Sequence, residues 1–277
     1  MINIEIQQSE LEAAVSNYSG DQMWEEALQQ SLKGGNLNAE EFIKLFSNYV
    51  SFNDELGGGI VILAGAISKR KDLFNYNPAK PNTLNDIPYL IGQHIISEAI
   101  VEYGDRTQND TSRLRTHREE AIGTLLAIAE FFGYENKSEQ FYKSIQTYSS
   151  TSRVIIELDN CYQIDRKSSS SRVGESLGLN FCSEYKAMAE FTILSRFLEN
   201  YAKAMVSHLT GRDMYYYVKA HGGESGLESE HTASAKKSID YALNHFTGDK
   251  MEFKNDIIRG VAKFSEIQER FMKGLLK

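Results

Sequence analysis

The sequence predicts an all-α fold, and three observations support this prediction. The three prolines, Pro78, Pro81 and Pro88, lie within eleven residues of one another, and none follows from residue 89 to residue 277. Apolar residues recur at spacings of three and four, which is typical of helices with one buried face. Alternation with a period of two, which is typical of strands, is sustained nowhere. Long helices joined by short loops fit this pattern best.

The periodic segments predict a series of helices in chain order. They span residues 22–33, 39–53, 55–71, 87–103, 111–132, 137–148, 174–207, 213–220, 224–246 and 250–277. Asn38 is a suitable N-cap for the second helix. The glycines at 57–59 predict either close packing or a helix break, KSSSSR at 167–172 predicts a loop, and VIIELDNCYQI at 154–164 fits a helix or a strand. Without repeats or linkers, residues 1–277 are predicted to form a single domain.

Charge and composition exclude several classes of function. The hydrophobic fraction of 41% and the charged fraction of 25% are those of an ordinary soluble protein. A net charge of −8 disfavours nucleic acid and anionic membranes as partners. The N-terminus (MINIEIQQSELEAAV) lacks the features of a signal peptide, and the longest apolar run, residues 59–67, is too short to span a bilayer. With Cys161 and Cys182 both expected to be reduced, we expect a cytoplasmic protein.

The usual catalytic motifs are missing from the sequence. It contains no Walker loop, no dinucleotide-binding glycine motif after a strand, no nucleophile elbow and no C-x-x-C pair. What remains is the distribution of His, Glu and Asp. In the segment HGGESGLESEH, His221, Glu224, Glu228 and His231 fall within about 80° on one face of a helix. Glu228 and His231 have the Glu-x-x-His spacing of carboxylate-bridged di-metal sites in helical bundles.

Two further predicted helices carry carboxylates at helical spacing. His94, Glu98 and Glu102 follow one another at intervals of four. Glu184 and Glu190 stand in the apolar segment CSEYKAMAEFTILSRF, where an inward-facing carboxylate would need a partner or a metal ion. A charged surface stripe and a satisfied core histidine are the alternatives. The occurrence of such residues on three predicted helices favours a metal site.

These residues resemble the pattern of the heme-oxygenase-like di-iron oxidases and oxygenases, specifically the CADD-like group, which has a TenA/PqqC-like helical fold. The resemblance covers roughly residues 90–246. It rests on Glu102 in IVEYGD, His117 in RTHREEAIGTLLAIAEFFGY, Glu190 in KAMAEFT, and Glu228 with His231 after a run of three tyrosines. The chain departs from the family at the first histidine of the last element.

Glu224 stands at that position, four residues before Glu228, and His221 stands three residues earlier. Either Glu224 replaces the histidine, or His221 reaches the site through a bulge at Gly222 and Gly223. Both residues lie on the correct face of the helix, so the sequence leaves this choice open.

The resemblance implies a heme-oxygenase-like helical bundle with a metal-binding core at about residues 87–246. It implies two Fe(II) ions and O₂ as co-substrate in an oxidase or oxygenase that acts on a small amino-acid-like or fatty-acid substrate. N-oxygenation, oxidative C–C cleavage and desaturation are the reactions implied. An electron donor and a homodimer are also expected. The implied ligands are Glu102, His117, Glu190, His221 or Glu224, Glu228 and His231, and the candidate substrate-binding residues are Tyr185, Tyr217 and Arg118.

Two other functions remain open from the sequence. A TenA-like, metal-independent hydrolase would use Cys182 as nucleophile, with Glu184 and Tyr185 beside it. A non-catalytic helical binding protein would use the acidic cluster only as surface charge.

Overall fold

The computed structural model describes residues 5–75, 86–102, 117–134, 149–212, 215–221 and 227–276. Within these residues the chain is helical almost throughout, and the predicted all-α fold class is confirmed. The helices are α1 (Gln8–Val15), α2 (Gly20–Gln30), α3 (Ala39–Ile67), α4 (Ile87–Glu102), α5 (His117–Phe131), α6 (Ser149–Tyr162), α7 (Ser170–Tyr201), α8 (Lys203–Gly211), α9 (Tyr216–His221), α10 (Leu227–His245) and α11 (Lys250–Leu275).

The strands within the described part are two short ones, β1 (Leu32–Lys33) and β2 (Asn36–Leu37), which form an antiparallel hairpin between α2 and α3. Gly34 and Gly35 form its turn with φ angles of 61° and 80°. Positive φ at both central residues is the requirement of a type I′ two-residue hairpin turn, and glycine meets it without strain.

Helix α3 is continuous where the sequence predicted two helices. Its glycines do not break it, because Gly59 lies directly against the ring of Tyr162 at the end of α6. A Cβ atom at Gly59 would come within 2.4 Å of that ring. The ambiguous segment at 154–164 lies mostly in helix α6. The helix predicted at 137–148 falls outside the described residues.

Helix α3 is also long and apolar enough to cross a membrane by length and composition alone. Of its most apolar window, 44% is buried within the protein. Phe42, Phe46 and Ile60 on this helix are all nearly inaccessible to solvent. These contacts identify α3 as a core helix of the bundle.

The predicted long helix at 174–207 is divided into α7 and α8 at Ala202, whose φ of −136° lies outside the helical range. The loop predicted at KSSSSR is short, because α7 begins at Ser170. The side chain of Ser169 caps this helix by accepting a hydrogen bond from the backbone N–H of Arg172.

Helices α7 and α11 run side by side in the same direction through the centre of the fold. Their backbones touch: a Cβ atom at Gly178 would lie 1.9 Å from the carbonyl oxygen of Ile257. A Cβ atom at Gly260 would lie 1.9 Å from the carbonyl oxygen of Glu175. Only glycine permits so close an approach, so these residues fix how the two helices pack.

Helices α4 and α10 pack antiparallel to each other. The hydroxyl of Ser97 lies 2.8 Å from that of Ser234, which also donates to the backbone carbonyl of His94 at 3.1 Å. The ring of His94 stacks on Tyr241 with centroids 5.3 Å apart. Since higher numbers on α4 meet lower numbers on α10, the last turn of α4 lies alongside the first turns of α10.

We predict that Gly178→Ala destabilises the protein strongly, because the added methyl group would meet main-chain atoms of α11 that cannot move aside. A loss of about 3 kcal/mol in the free energy of unfolding is expected, at the upper end of overpacking costs. Urea denaturation followed by circular dichroism would measure it.

Gly58→Ala is the matched control. Gly58 also lies within a helix, and nothing lies within 4 Å of the position that a Cβ atom would occupy there. This control should be neutral or stabilising by roughly 0.5–1 kcal/mol. Equal stability losses in the two variants would contradict the packing described here.

Candidate functional site

A buried carboxylate–imidazole pair links α7 to α10. Oε2 of Glu184 lies 3.2 Å from Nδ1 of His231. The two residues are only 6% and 4% exposed, respectively. A buried carboxylate of this kind requires a partner, and here the imidazole supplies it. The pair therefore joins an acidic and a basic group inside the bundle, at hydrogen-bonding distance.

Two further predicted ligands, Glu102 and Glu228, lie on neighbouring turns of α4 and α10. Glu102 ends α4, which runs alongside the start of α10, and Glu228 lies in the first turn of α10. His117 is the first residue of α5. The side chains of these three residues and all of Glu224 lie outside the described part of the structure. Among the side chains that it does describe, no three His, Cys, Asp or Glu residues are grouped to hold a metal ion.

Glu190 occupies a second buried position on α7, facing other helices. Gln268 on α11 donates a hydrogen bond from Nε2 to its carboxyl group. The indole N–H of Trp24 on α2 donates to its backbone carbonyl at 3.1 Å. Burial raises the pKa of Glu190 to about 7, and the hydrogen bond from Gln268 offsets part of this rise. With a pKa of about 7, the carboxyl group is mostly protonated below neutral pH and ionises as the pH rises through 7.

Helix geometry explains why the two buried glutamates of α7, Glu184 and Glu190, contact different helices. Glu190 comes six positions after Glu184, so their side chains point about 120° apart around α7. One faces α10 and His231, whereas the other faces α2 and α11. The structure thus places Glu184, not Glu190, against His231.

An ion pair borders the Glu190 position. Nζ of Lys186, which is 4% exposed, lies 2.8 Å from Oδ2 of Asp21 at the start of α2. Gln268 also donates to Oδ1 of Asp21 at 3.4 Å. Gln268 therefore connects the ion pair to Glu190, and the group ties α2 to the central helices.

His221 and Tyr217 lie together on α9, almost completely buried. Their rings are 5.6 Å apart, and both pack on Phe191, at 4.8 Å from His221 and 5.3 Å from Tyr217. Burial raises the pKa of the Tyr49 hydroxyl well above its usual value, and the nearby Glu190 and Tyr217 side chains add to this rise. His221 and Tyr217 thus belong to the aromatic surroundings of Glu190.

The other two candidate substrate-binding residues lie apart from His231. Tyr185 is half-buried, stacks on Phe181 at 6.0 Å, and faces the acidic residues of α1 and α2. Arg118 is exposed and pairs with Asp54 on α3 at 3.3 Å. These contacts hold both side chains against other residues, not against Glu184 or His231.

Cys182 is buried on the side of α7 that faces α11. Its Sγ atom lies 3.3 Å from Oγ of Ser265. Burial raises the pKa of the thiol to about 12, an effect that the Ser265 hydrogen bond only partly offsets. A nucleophilic cysteine requires a thiolate near neutral pH. The surroundings of Cys182 favour the opposite state.

Comparison with solved structures supports the fold. The chain is similar to a TenA homologue from Pseudomonas syringae pv. tomato, with a TM-score of 0.56 and 10% sequence identity. The match covers 97% of this chain and 90% of that one. This chain has a TenA-like helical fold. Neither the models of known families nor the curated proteins gave a match.

The sequence missed the pairing of Glu184 with His231, although it singled out both residues. Glu184 stood out as a carboxylate in an apolar helix, but the family pattern selected Glu190 for the ligand set. The spacing of six positions between the two glutamates could have shown that only one of them faces α10, because such a spacing puts them on different faces of a helix. Gln268 and Lys186 gave no signal, since their role depends on contacts between distant helices.

We predict that Glu190→Gln stabilises the protein at high pH and has little effect at low pH. A carboxyl pKa raised on folding means that stability is lost as pH rises through about 4.5 to 7. The glutamine cannot ionise, so its advantage should reach roughly 3 kcal/mol at pH 8, since one pKa unit corresponds to about 1.4 kcal/mol. Urea denaturation at pH 5 and pH 8 would measure this difference.

Glu26→Gln, at an exposed position on α2, serves as the control and should show no such pH-dependent gain. If the stability difference between Glu190→Gln and the unsubstituted protein were the same at both pH values, burial would not raise the pKa of the Glu190 carboxyl group.

We also predict that both cysteines of the folded protein react slowly with Ellman's reagent at pH 8. Cys161 and Cys182 are buried, and the high pKa of Cys182 leaves almost no thiolate. Both should react at once after denaturation in guanidinium. Rapid reaction of one thiol in the folded protein, lost in Cys182→Ala, would instead support a cysteine nucleophile.

Proposed function

We propose that the protein is a non-heme di-iron enzyme that activates O₂, and that Glu184 and His231 belong to its metal centre. The buried Glu184–His231 pair is the observation that carries this proposal. Both residues lie on helices of the bundle core, and His231 lies on the helix that begins beside the end of α4. That end carries Glu102, and Glu228 precedes His231 by one helical turn.

The chemistry of these groups fits iron. Imidazole and carboxylate ligands are those by which helical bundles bind two iron ions, with Glu-x-x-His pairs and glutamates from neighbouring helices. Glu228 and His231 would hold the metal from α10, and Glu102 and His117 would hold it from α4 and α5. Glu190 is left out of this set because it bonds to Gln268 on another face of α7, whereas Glu184 contacts His231 and would orient it.

Glu184 orients His231 in this proposal. A neutral imidazole that donates from Nδ1 to a carboxylate presents Nε2 as its metal-binding nitrogen. The carboxylate also raises the basicity of the ring. Both side chains are almost completely buried, so a metal ion held by His231 would be kept from bulk water on that side, which favours oxygen chemistry. When bound, the iron pair would supply the electrons that reduce O₂ for oxidation of the substrate.

The proposed substrate is a small amino-acid-like or fatty-acid molecule, as the family resemblance implies. N-oxygenation, oxidative C–C cleavage and desaturation are the corresponding reactions. An electron donor, a cytoplasmic location and a homodimeric assembly are further parts of this proposal. The cysteine-dependent hydrolase is the weaker alternative, since the buried Cys182 thiol is held in its unreactive form.

Metal content tests the proposal directly. After anaerobic expression with Fe(II), we expect about two iron atoms per chain by plasma mass spectrometry, the stoichiometry of carboxylate-bridged centres. His231→Ala and Glu184→Gln should each lose at least half of the iron, because each removes a proposed ligand or its orienting group. Circular dichroism of the same samples would show that the variants are folded.

Two matched controls separate a metal centre from general damage. His245→Ala removes another histidine of α10, and Glu190→Gln removes the other buried glutamate of α7; both should retain iron. Loss of iron in Glu190→Gln but not in Glu184→Gln would restore Glu190 to the ligand set. A folded, iron-free unsubstituted protein would rule out the proposed function.

A further inference from the structure

A surface cleft lies between the second half of α3 and the short connection from α6 to α7. It has a volume of about 630 Å³, within the usual range of small-molecule sites. Its lining residues are Val61, Ile62, Gly65, Ala66, Lys69, Ile164, Asp165, Arg166 and Lys167. The cleft is on the outside of the bundle and shares no residue with the proposed metal centre.

The rim of the cleft is cationic. Lys69, Arg166 and Lys167 are exposed, and none of them takes part in a salt bridge with a residue of the described part of the chain. Asp165 is the one acidic residue among the described lining residues. A local excess of positive charge is unusual on a protein whose net charge is −8. The rim therefore attracts an anion.

The single acid of the cleft is already engaged by its own loop. Oδ1 of Asp165 accepts hydrogen bonds from the backbone N–H of Lys167 at 2.7 Å and from the hydroxyl of Ser168 at 3.2 Å. The bond from Lys167 lowers the pKa of Asp165 most strongly, so the group stays ionised. This one carboxylate offsets only one of the three positive charges of the lining, so the cleft keeps an excess of positive charge.

A buried arginine holds this loop in place. Arg70, at the end of α3, is 4% exposed and donates to the carbonyl oxygen of Ser168 at 2.7 Å. Its other guanidinium nitrogens donate to both carboxylate oxygens of Asp72, at 2.9 and 2.8 Å. This two-fold contact orients the guanidinium group. The loop with Arg166 and Lys167 is thus fixed relative to α3 before any ligand binds.

The floor of the cleft is apolar. Val61 and Ile62 of α3 are only partly buried, and Ala66 and Ile164 are buried beside them. Nothing lies within 4 Å of the position that a Cβ atom at Gly65 would occupy. This glycine leaves open space over the helix, and a ligand with an apolar chain would cover the exposed side chains around it.

We propose that this cleft binds a soluble anionic amphiphile, a molecule with one phosphate or carboxylate head and a short apolar chain. The three cations hold the head, and the floor formed by α3 takes the chain. A soluble molecule is favoured over a lipid in a bilayer, because the net negative charge of the protein opposes approach to an anionic membrane.

Calorimetric titration with hexyl phosphate tests the proposal on the full chain. We expect saturable binding with a Kd on the order of 0.1–1 mM, in the range of a small, partly exposed ligand. Inorganic phosphate and hexanol should each bind at least about tenfold more weakly, since each provides only half of the interaction. Added salt should weaken the binding, because the head is held at exposed cations.

Two variants test the cationic rim and the apolar floor of the cleft separately. The double variant Arg166→Glu, Lys167→Glu should weaken binding by about tenfold or more through the reversal of charge. Gly65→Leu should abolish binding by filling the open space, without changing any charge. Lys33→Glu, at an exposed position in the hairpin, and Gly58→Leu, at an open position on α3, are the matched controls and should bind as the unsubstituted protein does.

Any of the following results would overturn the proposal: no saturable binding up to roughly 10 mM hexyl phosphate, equal binding in the variants and their controls, or binding of inorganic phosphate as tight as that of hexyl phosphate. Sedimentation with phosphatidic acid vesicles, in the absence of binding to hexyl phosphate, would also overturn it in favour of a membrane contact. Circular dichroism would confirm that each variant is folded.

Discussion

The contact between α7 and α11 is the constraint on which the remaining architecture depends. At Gly178 and Gly260 each helix lies against main-chain oxygen atoms of the other, so neither helix can rotate or slide without a clash. With one face of α7 fixed in this way, the directions of its other faces are fixed as well. Cys182 meets α11, Glu184 meets α10, and Glu190 lies close to α2. The positions of both buried glutamates therefore follow from glycines that have no chemical role.

The two glutamates show how burial acts differently on the same side chain. Glu184 lies against an imidazole, which can share or take a proton and so compensate a negative charge in the core. Glu190 receives a hydrogen bond from an amide, which stabilises it without a full opposing charge, and its pKa rises towards neutrality. A position suited to ionic chemistry and a position suited to a neutral carboxyl group thus lie less than two turns apart on one helix.

The sequence predicted the fold class well, because helical periodicity and the absence of proline after residue 88 reflect local properties of the chain. It predicted α4, α10 and α11 to within a few residues for the same reason. It failed where tertiary packing decides: Gly59 is part of an uninterrupted helix because the ring of Tyr162 covers it. The candidate site was predicted only in part. His231 and Glu184 were recognised as unusual residues, but their contact depends on how α7 is rotated, and rotation is set by the distant Gly178 and Gly260.

The hydrogen bond from Trp24 to the backbone carbonyl of Glu190 has an optical consequence. Trp24 is the sole tryptophan of the chain, completely buried and stacked on Tyr49 at 4.6 Å. The excited state of an indole ring responds to nearby charge. The carbonyl group that accepts the hydrogen bond from Trp24 belongs to Glu190, whose side chain carries an ionisable carboxyl group. The protein consequently contains an intrinsic fluorophore whose emission reports the environment of its second buried glutamate, with no label required.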